Sequence, residues 1–432
     1  MSDPAAFTRR EFLGSSLAVV STTAMVPAFL QRSAQAVAPS RDLLTASQPG
    51  IPEDRILVII ELNGGNDGLN TVIPFAMPQY YRARPSLAVR EDNVLKLSHS
   101  DGLGLHPRMA PIRQMLDEGH AAIVQGVGYP NPNRSHFTSR DIWHTADTSG
   151  SPGQGWIGRA LDISIDPKQS DGIDCICTGR QAPLATQGKI IKPIAFENAN
   201  LFRWVGQDLH TALGDEYDKI NRMRQINASN EENVNDQISF LTRTSLDAQL
   251  ASDRVRDAVA KGTVTSFPGG RLADQLRTVA AMIRSGLRTR VYYVSLGGFD
   301  THANQIVNHA RNLDDFSKSV SAFYSELKAL GEQSRVLTIA FSEFGRRVDQ
   351  NASNGTDHGT AAPMFIFGDM VRPGVLGKHP SLTQLDKGDL IYQVDFRSVY
   401  AAVLDHWLKS DSTQVLGRQF RPANILTAKA TS

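Results

Sequence analysis

The stretch VIIELNGGNDGLNTVIPF, Val58–Phe75, decides the fold. Its apolar run carries one Glu and then breaks into Asn-Gly-Gly-Asn-Asp-Gly. A short apolar run ended by Asn and Gly reads as a buried strand, here Arg55–Glu61. A polar, carboxylate-bearing loop opens at its carboxyl end. In open α/β sheets the loops at the carboxyl ends of strands are where ligands sit. The loop is therefore one wall of a candidate site, and other strand ends must supply the rest.

Downstream the chain keeps an α/β rhythm. A helix is expected from about Met109 to Gly119, followed by the strand Ala121–Gln125. Leu272–Ser285 has helical spacing, Val291–Leu296 is a strand ending in GGFDTH, and Ile306–Leu330 steps by threes and fours as a long amphipathic helix. Val336–Phe341 is a strand ending in SEFGRR, and Pro363–Phe367 is a shorter one. Arg397–Leu408 is helical, with Asp395 as its N-cap. Residues 207–266 are polar, with weak periodicity, and read as a mainly helical insertion. GQGWIG, Gly153–Gly158, matches the dinucleotide fingerprint, but no strand precedes it and the match is a coincidence.

If the strands are parallel, their polar ends share one edge. The first supplies Asn63, Asn66 and Asp67, the second Asp300 and His302, and the third Ser342, Glu343 and Arg346. GTDHGTAAP adds Asp357 and His358, and YPNPNRSHF adds Arg134, Ser135 and His136. Carboxylates crowded at one edge repel unless a cation neutralises them. Mixed carboxylate and imidazole donors suit zinc, manganese or iron better than calcium. Each piece also has a plainer reading. Asp300 can cap a helix, Ser135 can cap the helix beginning near Phe137, and Glu343 can pair with Arg346 or Arg347 on the surface. Asp357 and His358 point opposite ways in an extended chain, so His358 is the direct ligand of the two. His309 reads as a solvated residue on the polar face of its helix.

Charge is balanced, 45 Lys plus Arg against 44 Asp plus Glu, which gives no general pull toward nucleic acid or an anionic membrane. Two cysteines, Cys175 and Cys177, give no disulfide framework and read as ordinary strand residues. The N-terminus has the build of a twin-arginine export signal over residues 1–36: TRREFLG, a moderately apolar run too short and polar for a membrane span, then the small-x-small site AQA. A linker covers 37–54 and the main domain 55–430. The twin-arginine translocase carries folded proteins, so any cofactor is loaded before export. A periplasmic or secreted location follows.

LNGGNDGLNTVIP, GLHPRMAPIRQML, VQGVGYPNPNRSHF, GWIGRALD, GGFDTHANQ, SEFGRRV and GTDHGTAAPMFIFG together resemble the family catalogued as domain of unknown function 1501, grouped with the alkaline-phosphatase and sulfatase superfamily. The resemblance implies a doubly wound α/β/α sandwich with one or two metals flanking a hydroxyl nucleophile. It implies Asp300, His302 and His358 as one metal's ligands and Ser135 in the nucleophile's place. Glu343 falls where the superfamily has the Asp of an Asp-His pair, with Phe344 in the His place. Asn63 stands where an Asp is usual, although Asp67 follows, so the second metal set is thinned. The Cys-x-Pro-x-Arg signature of sulfatases is absent, since CTGR at Cys177 lacks the proline.

The glycines of the opening loop can bring backbone N–H groups near an anion, and Asp67, Asn63 or Asn66 can meet metal or substrate. The leading expectation is an exported hydrolase of a phosphate ester or similar anionic ester, small or polymer-linked, using zinc or manganese. Ser135 would be its nucleophile, Arg134 its anion donor, His136 its proton donor or base, and Asp300, His302, His358, Glu343, Asp67 and Asp357 its candidate metal residues. The alternative is a non-catalytic binding or scaffold protein that keeps the fold.

Overall fold

The computed structural model describes residues 55–98, 100–149, 153–167, 170, 172–199 and 251–427. The export segment, the linker and most of the expected helical insertion at 207–266 lie outside these residues.

The main sheet has nine strands. They are β1 (Ile56–Asn63), β2 (Ala121–Gly128), β3 (Cys175–Thr178), β4 (Ile194–Phe196), β5 (Val291–Gly297), β6 (Val336–Phe341), β7 (Ala362–Phe367), β8 (Gly374–Leu376) and β9 (Val394–Asp395). The path is β8-β2-β7-β6-β1-β5-β3-β4, with β9 also paired to β2. Val58 of β1 is in register with Tyr292 of β5 on one side and Thr338 of β6 on the other, both parallel. This central trio is apolar on both faces, as a strand covered by helices must be.

Helices cover the two faces. On one lie α1 (Ala110–Asp117), α4 (Arg271–Arg284) and α5 (Gln305–Leu330). There Phe316 of α5 meets Phe365 and Phe367 of β7 edge-on, and Tyr324 donates to the Phe367 carbonyl at 2.7 Å. The alternate residues Met364 and Ile366 face the other way, into a core with Leu57 and Ile59. That core is closed by α2 (His136–Thr145), α3 (Trp156–Ser164) and α6 (Phe396–Ala402), which continues as a π-helical turn to Leu408. Trp143 of α2 stacks on both Phe341 and Phe396. The α/β/α sandwich is thus doubly wound. Asp395 caps α6, accepting from Arg397 N at 3.0 Å.

One strand departs from a wholly parallel sheet. β7 runs antiparallel to both β6 and β2. A parallel return needs a crossover over a sheet face, usually through a helix. The segment 342–361 contains no helix and stays at the carboxyl edge, so the chain re-enters the sheet in the reverse direction. The reversal keeps the site loop on the same edge as the ends of β1, β5 and β2. Cys175 and Cys177 are buried, unbridged residues of β3. The GQGWIG stretch opens α3, where a Cβ at Gly155 would sit 2.0 Å from the Ala185 carbonyl oxygen; close packing, not phosphate binding, accounts for that glycine.

Candidate metal centre

After Asn63 the chain turns through Gly64 at φ +121 and Gly65 at φ +76. A Cβ at Gly64 would lie 2.5 Å from the Asp300 backbone nitrogen, and one at Gly65 2.4 Å from the Phe344 ring. Left-handed φ and close approach therefore both demand glycine here. The turned N–H groups do meet an anion, and it is the protein's own. Gly64 N donates to Glu343 Oε1 at 2.9 Å and Gly65 N to Oε2 at 3.2 Å. Glu343 lies two residues past the end of β6 and is fully buried. It also accepts from Ser342 Oγ at 3.1 Å and pairs with His136 Nδ1 at 2.8 Å. Instead of a surface ion pair, Glu343 is a buried brace that ties the end of β6 to the loop after β1 and to the start of α2.

Asp300, just past β5, lies at the centre of a ring of imidazoles. His302 Nε2 is 3.1 Å and His358 Nε2 3.2 Å from its Oδ1, and His136 Nε2 is 3.5 Å from its Oδ2. The Nε2 atoms of His302 and His358 are 2.9 Å apart. Ligand atoms of His136, Asp300 and His358 all lie within 4.8 Å of one another. The fully buried Arg346 donates to Asp300 Oδ1 at 2.6 Å while its Nε and Nη1 hold the carbonyls of Gly65 and Thr356 at 2.7 Å. Burial pushes the Asp300 carboxyl up, but the Arg346 hydrogen bond and charge, with His358 and His302, outweigh it and hold the pKa down at about 2.

The far nitrogen of each imidazole is engaged. His136 Nδ1 faces Glu343, His302 Nδ1 faces Asp357 Oδ1 at 3.1 Å, and His358 Nδ1 faces the Arg134 carbonyl at 2.8 Å. A carbonyl only accepts, so His358 carries its proton on Nδ1 and presents a lone pair at Nε2. Carboxylate acceptors assign the same tautomer to the other two, an assignment made from the hydrogen-bond network. Three Nε2 lone pairs and a carboxylate then converge on one region, which is repulsive without a cation. His136 Nε2 is buried and makes no hydrogen bond. Imidazoles held at Nδ1 by an acceptor, with Nε2 presented beside a carboxylate, are the donor arrangement of a divalent transition ion. The residues present therefore fit such an ion. The Glu343 contact raises the His136 pKa despite its burial, whereas burial lowers that of His358.

The expected residues divide among several places. Asp300, His302 and His358, the set the resemblance implied, lie together. His136, expected as a proton donor or base, joins them; its position on the same sheet edge was the available signal. Asp357 flanks the group as the partner of His302 Nδ1. Asp67 stands apart. It caps the short helix Gly68–Thr71, bonds Arg84 Nη1 at 2.6 Å and also accepts from Gln305 Nε2. Asn66 Oδ1 meets His309 Nε2 at 2.9 Å. His309 is thus buried and not solvated, and burial drives its pKa down to about 3. The Arg134 guanidinium turns to the buried Asp389. Ser135 occupies the N-cap position of α2, yet its exposed hydroxyl makes no capping bond. Phe344, at the histidine place of the resemblance, is an apolar platform with ring centroids 4.9 Å from His136 and 4.8 Å from His358.

Fold and site together define a doubly wound α/β protein with an imidazole–carboxylate centre at the carboxyl edge of its sheet. Residues 213–424 match the family described as "Protein of unknown function (DUF1501)". No curated protein matches. Among solved structures, a protein in the alkaline phosphatase superfamily from Vibrio parahaemolyticus aligns at TM-score 0.38 and 10% identity, covering 90% of this chain and 76% of that one. The lipoteichoic acid synthase LtaP from Listeria monocytogenes aligns at TM-score 0.35 and 9% identity, covering 81% and 73%. The C-terminal periplasmic domain of EcEptC from Escherichia coli, in complex with Zn, aligns at TM-score 0.35 and 9% identity, covering 75% and 77%. All three are distant likenesses. Among the described residues no helix is long and apolar enough to cross a membrane.

Proposed function

We propose that this chain is an exported, metal-dependent hydrolase of phosphate or similar anionic esters. The observation that supports it is the convergence of His136, His302 and His358 on Asp300, with the buried His136 Nε2 making no hydrogen bond. These four residues would hold a zinc or manganese ion, which when bound polarises an ester oxygen and favours deprotonation of an attacking hydroxyl. Zinc suits three imidazoles and one carboxylate best. Arg346 fixes the Asp300 carboxylate, and Glu343 fixes the His136 ring. Ser135 presents its exposed hydroxyl one residue from His136, free of any capping bond. It also stands at the N-terminus of α2, where a helix favours an anion. In this reading His136 serves the ion, and the proton of the exposed Ser135 hydroxyl passes to solvent water.

A second reading has a specific observation behind it. Asp67 is spent on Arg84 and the Arg134 guanidinium on Asp389, so the second metal set and the anion clamp of the resemblance are both diverted. That favours a binding protein that keeps one metal centre. The deciding experiment assays phosphomonoesters, phosphodiesters and sulfate esters with zinc- or manganese-loaded protein, using wild type, Ser135→Ala and Asp300→Asn. Turnover of one ester class that falls at least about a thousandfold in Ser135→Ala supports the nucleophile. If Ser135→Ala keeps most of the rate, Ser135 is not the nucleophile. No turnover of any ester by metal-replete wild type sinks the hydrolase reading and leaves the binding protein.

A further inference from the structure

Beside the metal centre lies a second cleft, a cavity of about 390 Å³. Its size falls within the roughly 300–1,000 Å³ of small-ligand sites. Three elements of the metal centre also build this cleft. β1 gives Glu61, just before the glycine turn; β5 gives Tyr293 and Ser295, ahead of Asp300; α2 gives Phe137, Arg140 and Asp141, following His136. The cleft thus shares three of its elements with the metal centre, and Phe137 of its lining is the chain neighbour of His136.

The lining chemistry selects the ligand class. Phe137 stands 83% exposed at the cleft, one residue from His136. An aromatic ring exposed at a cleft wall offers an apolar face on which a ring can stack. The floor is polar but electrically spent. Arg140 bonds the buried Glu61 through Nε at 2.7 Å, and Tyr293 OH donates to the same carboxylate at 2.9 Å. Arg180 at the margin pairs with Glu197 at 3.0 Å. Asp141 adds an exposed carboxylate that repels anions. A second anion therefore gains little here. Hydroxyl groups gain more, from the outer N–H groups of Arg140, from Asp141 and from Thr178 and Ser295, with a ring face available at Phe137. We propose that this cleft binds a neutral, polyhydroxylated ring, a sugar or comparable polyol, as the alcohol part of the ester. Its role as a substrate pocket rests on the hydrolase reading; the binding itself does not.

The test is direct binding without any ester. Saturation-transfer NMR on the mature chain would use methyl glucoside, methyl galactoside and methyl fucoside as probes, with glucuronate as the anionic comparison. At least one neutral glycoside is expected to bind wild type. Phe137→Ala and Asp141→Asn, both at exposed positions, should each weaken it at least about fivefold. Asp300→Asn should bind it unchanged while losing metal. Failure of ester turnover by metal-loaded wild type with intact glycoside binding overturns only the hydrolase reading. No binding of any neutral glycoside at about 20 mM, equal binding by Phe137→Ala, or preference for glucuronate would overturn the cleft assignment.

Discussion

Glu343→Gln is the most informative single change at the metal centre. The buried carboxylate accepts from Gly64 N, Gly65 N and Ser342 Oγ, and it holds His136 Nδ1. Glutamine has the same shape but only one accepting oxygen, and its amide NH₂ would face groups that themselves donate. At least two buried donors are left short, at about 1–3 kcal/mol each, so a loss near 3 kcal/mol is expected. For a domain of this size that lowers Tm by about 4 °C. His136 also loses the acceptor that fixes its tautomer, which typically costs 10–100-fold in metal affinity, roughly tenfold or more here. The assay pairs thermal melts of the metal-free protein with zinc titration against a competing chelating dye. A variant that melts lower yet binds zinc within about twofold of wild type would show that Glu343 supports the fold only, and the orienting role would be refuted.

Further outcomes follow from the same geometry. Asp300→Asn should abolish stoichiometric zinc binding and remove the metal-dependent rise in Tm, since binding to the native state adds stability by mass action; metal analysis and melts with and without zinc check it. Stability should fall as pH drops below the unfolded histidine pKa, because between about 6.5 and about 3 the unfolded chain takes up a proton that buried His309 refuses. The slope from this one group is about 1.4 kcal/mol per pH unit, and urea titrations from pH 7 to 5 should show it reduced in His309→Gln. Arg9→Lys with Arg10→Lys should leave the precursor in the cytoplasm, and normal accumulation outside it in fractionated cells would overturn the twin-arginine assignment.

Strand bodies were legible because buried runs have sharp ends. Val336–Phe341 was read with the bounds it has, and the strand from Val291 gained only Gly297. Direction was not legible, because an apolar run reads the same in a parallel or antiparallel neighbour. The anion at the glycine loop was foreseen, but its identity was not, since Glu343 lies far along the chain from Gly64. His309 shows a different limit. Helical spacing places it on the polar side of α5, but spacing does not say that Asn66 and Thr71 cover that side. His136 reads from the sequence as a proton donor or base beside Ser135, whereas its Nε2 faces Asp300 in the ligand group.

The reversal of β7 explains why these ligands can assemble at all. Asp300 and His302 follow β5, His136 opens α2 after β2, and His358 precedes β7. In a fully parallel sheet the residues before a strand sit at the opposite edge from the residues after its neighbours. His358 would then lie a strand length from Asp300. Running β7 backwards puts its amino end at the carboxyl edge of β1, β5 and β6, and the bridge between Arg346 and His358 locks it there. Arg346 fastens this strut from beneath, holding the carbonyls of Gly65, Phe299 and Thr356 together with the Asp300 carboxylate. Removing that guanidinium would strand several buried carbonyls and Asp300 at once. Arg346→Met should therefore cost more stability than any ligand change and lose zinc binding with it, whereas His358→Gln should lose zinc while leaving the metal-free fold nearly as stable as wild type. Equal melting temperatures for the two metal-free variants would refute this division of labour between strut and ligand.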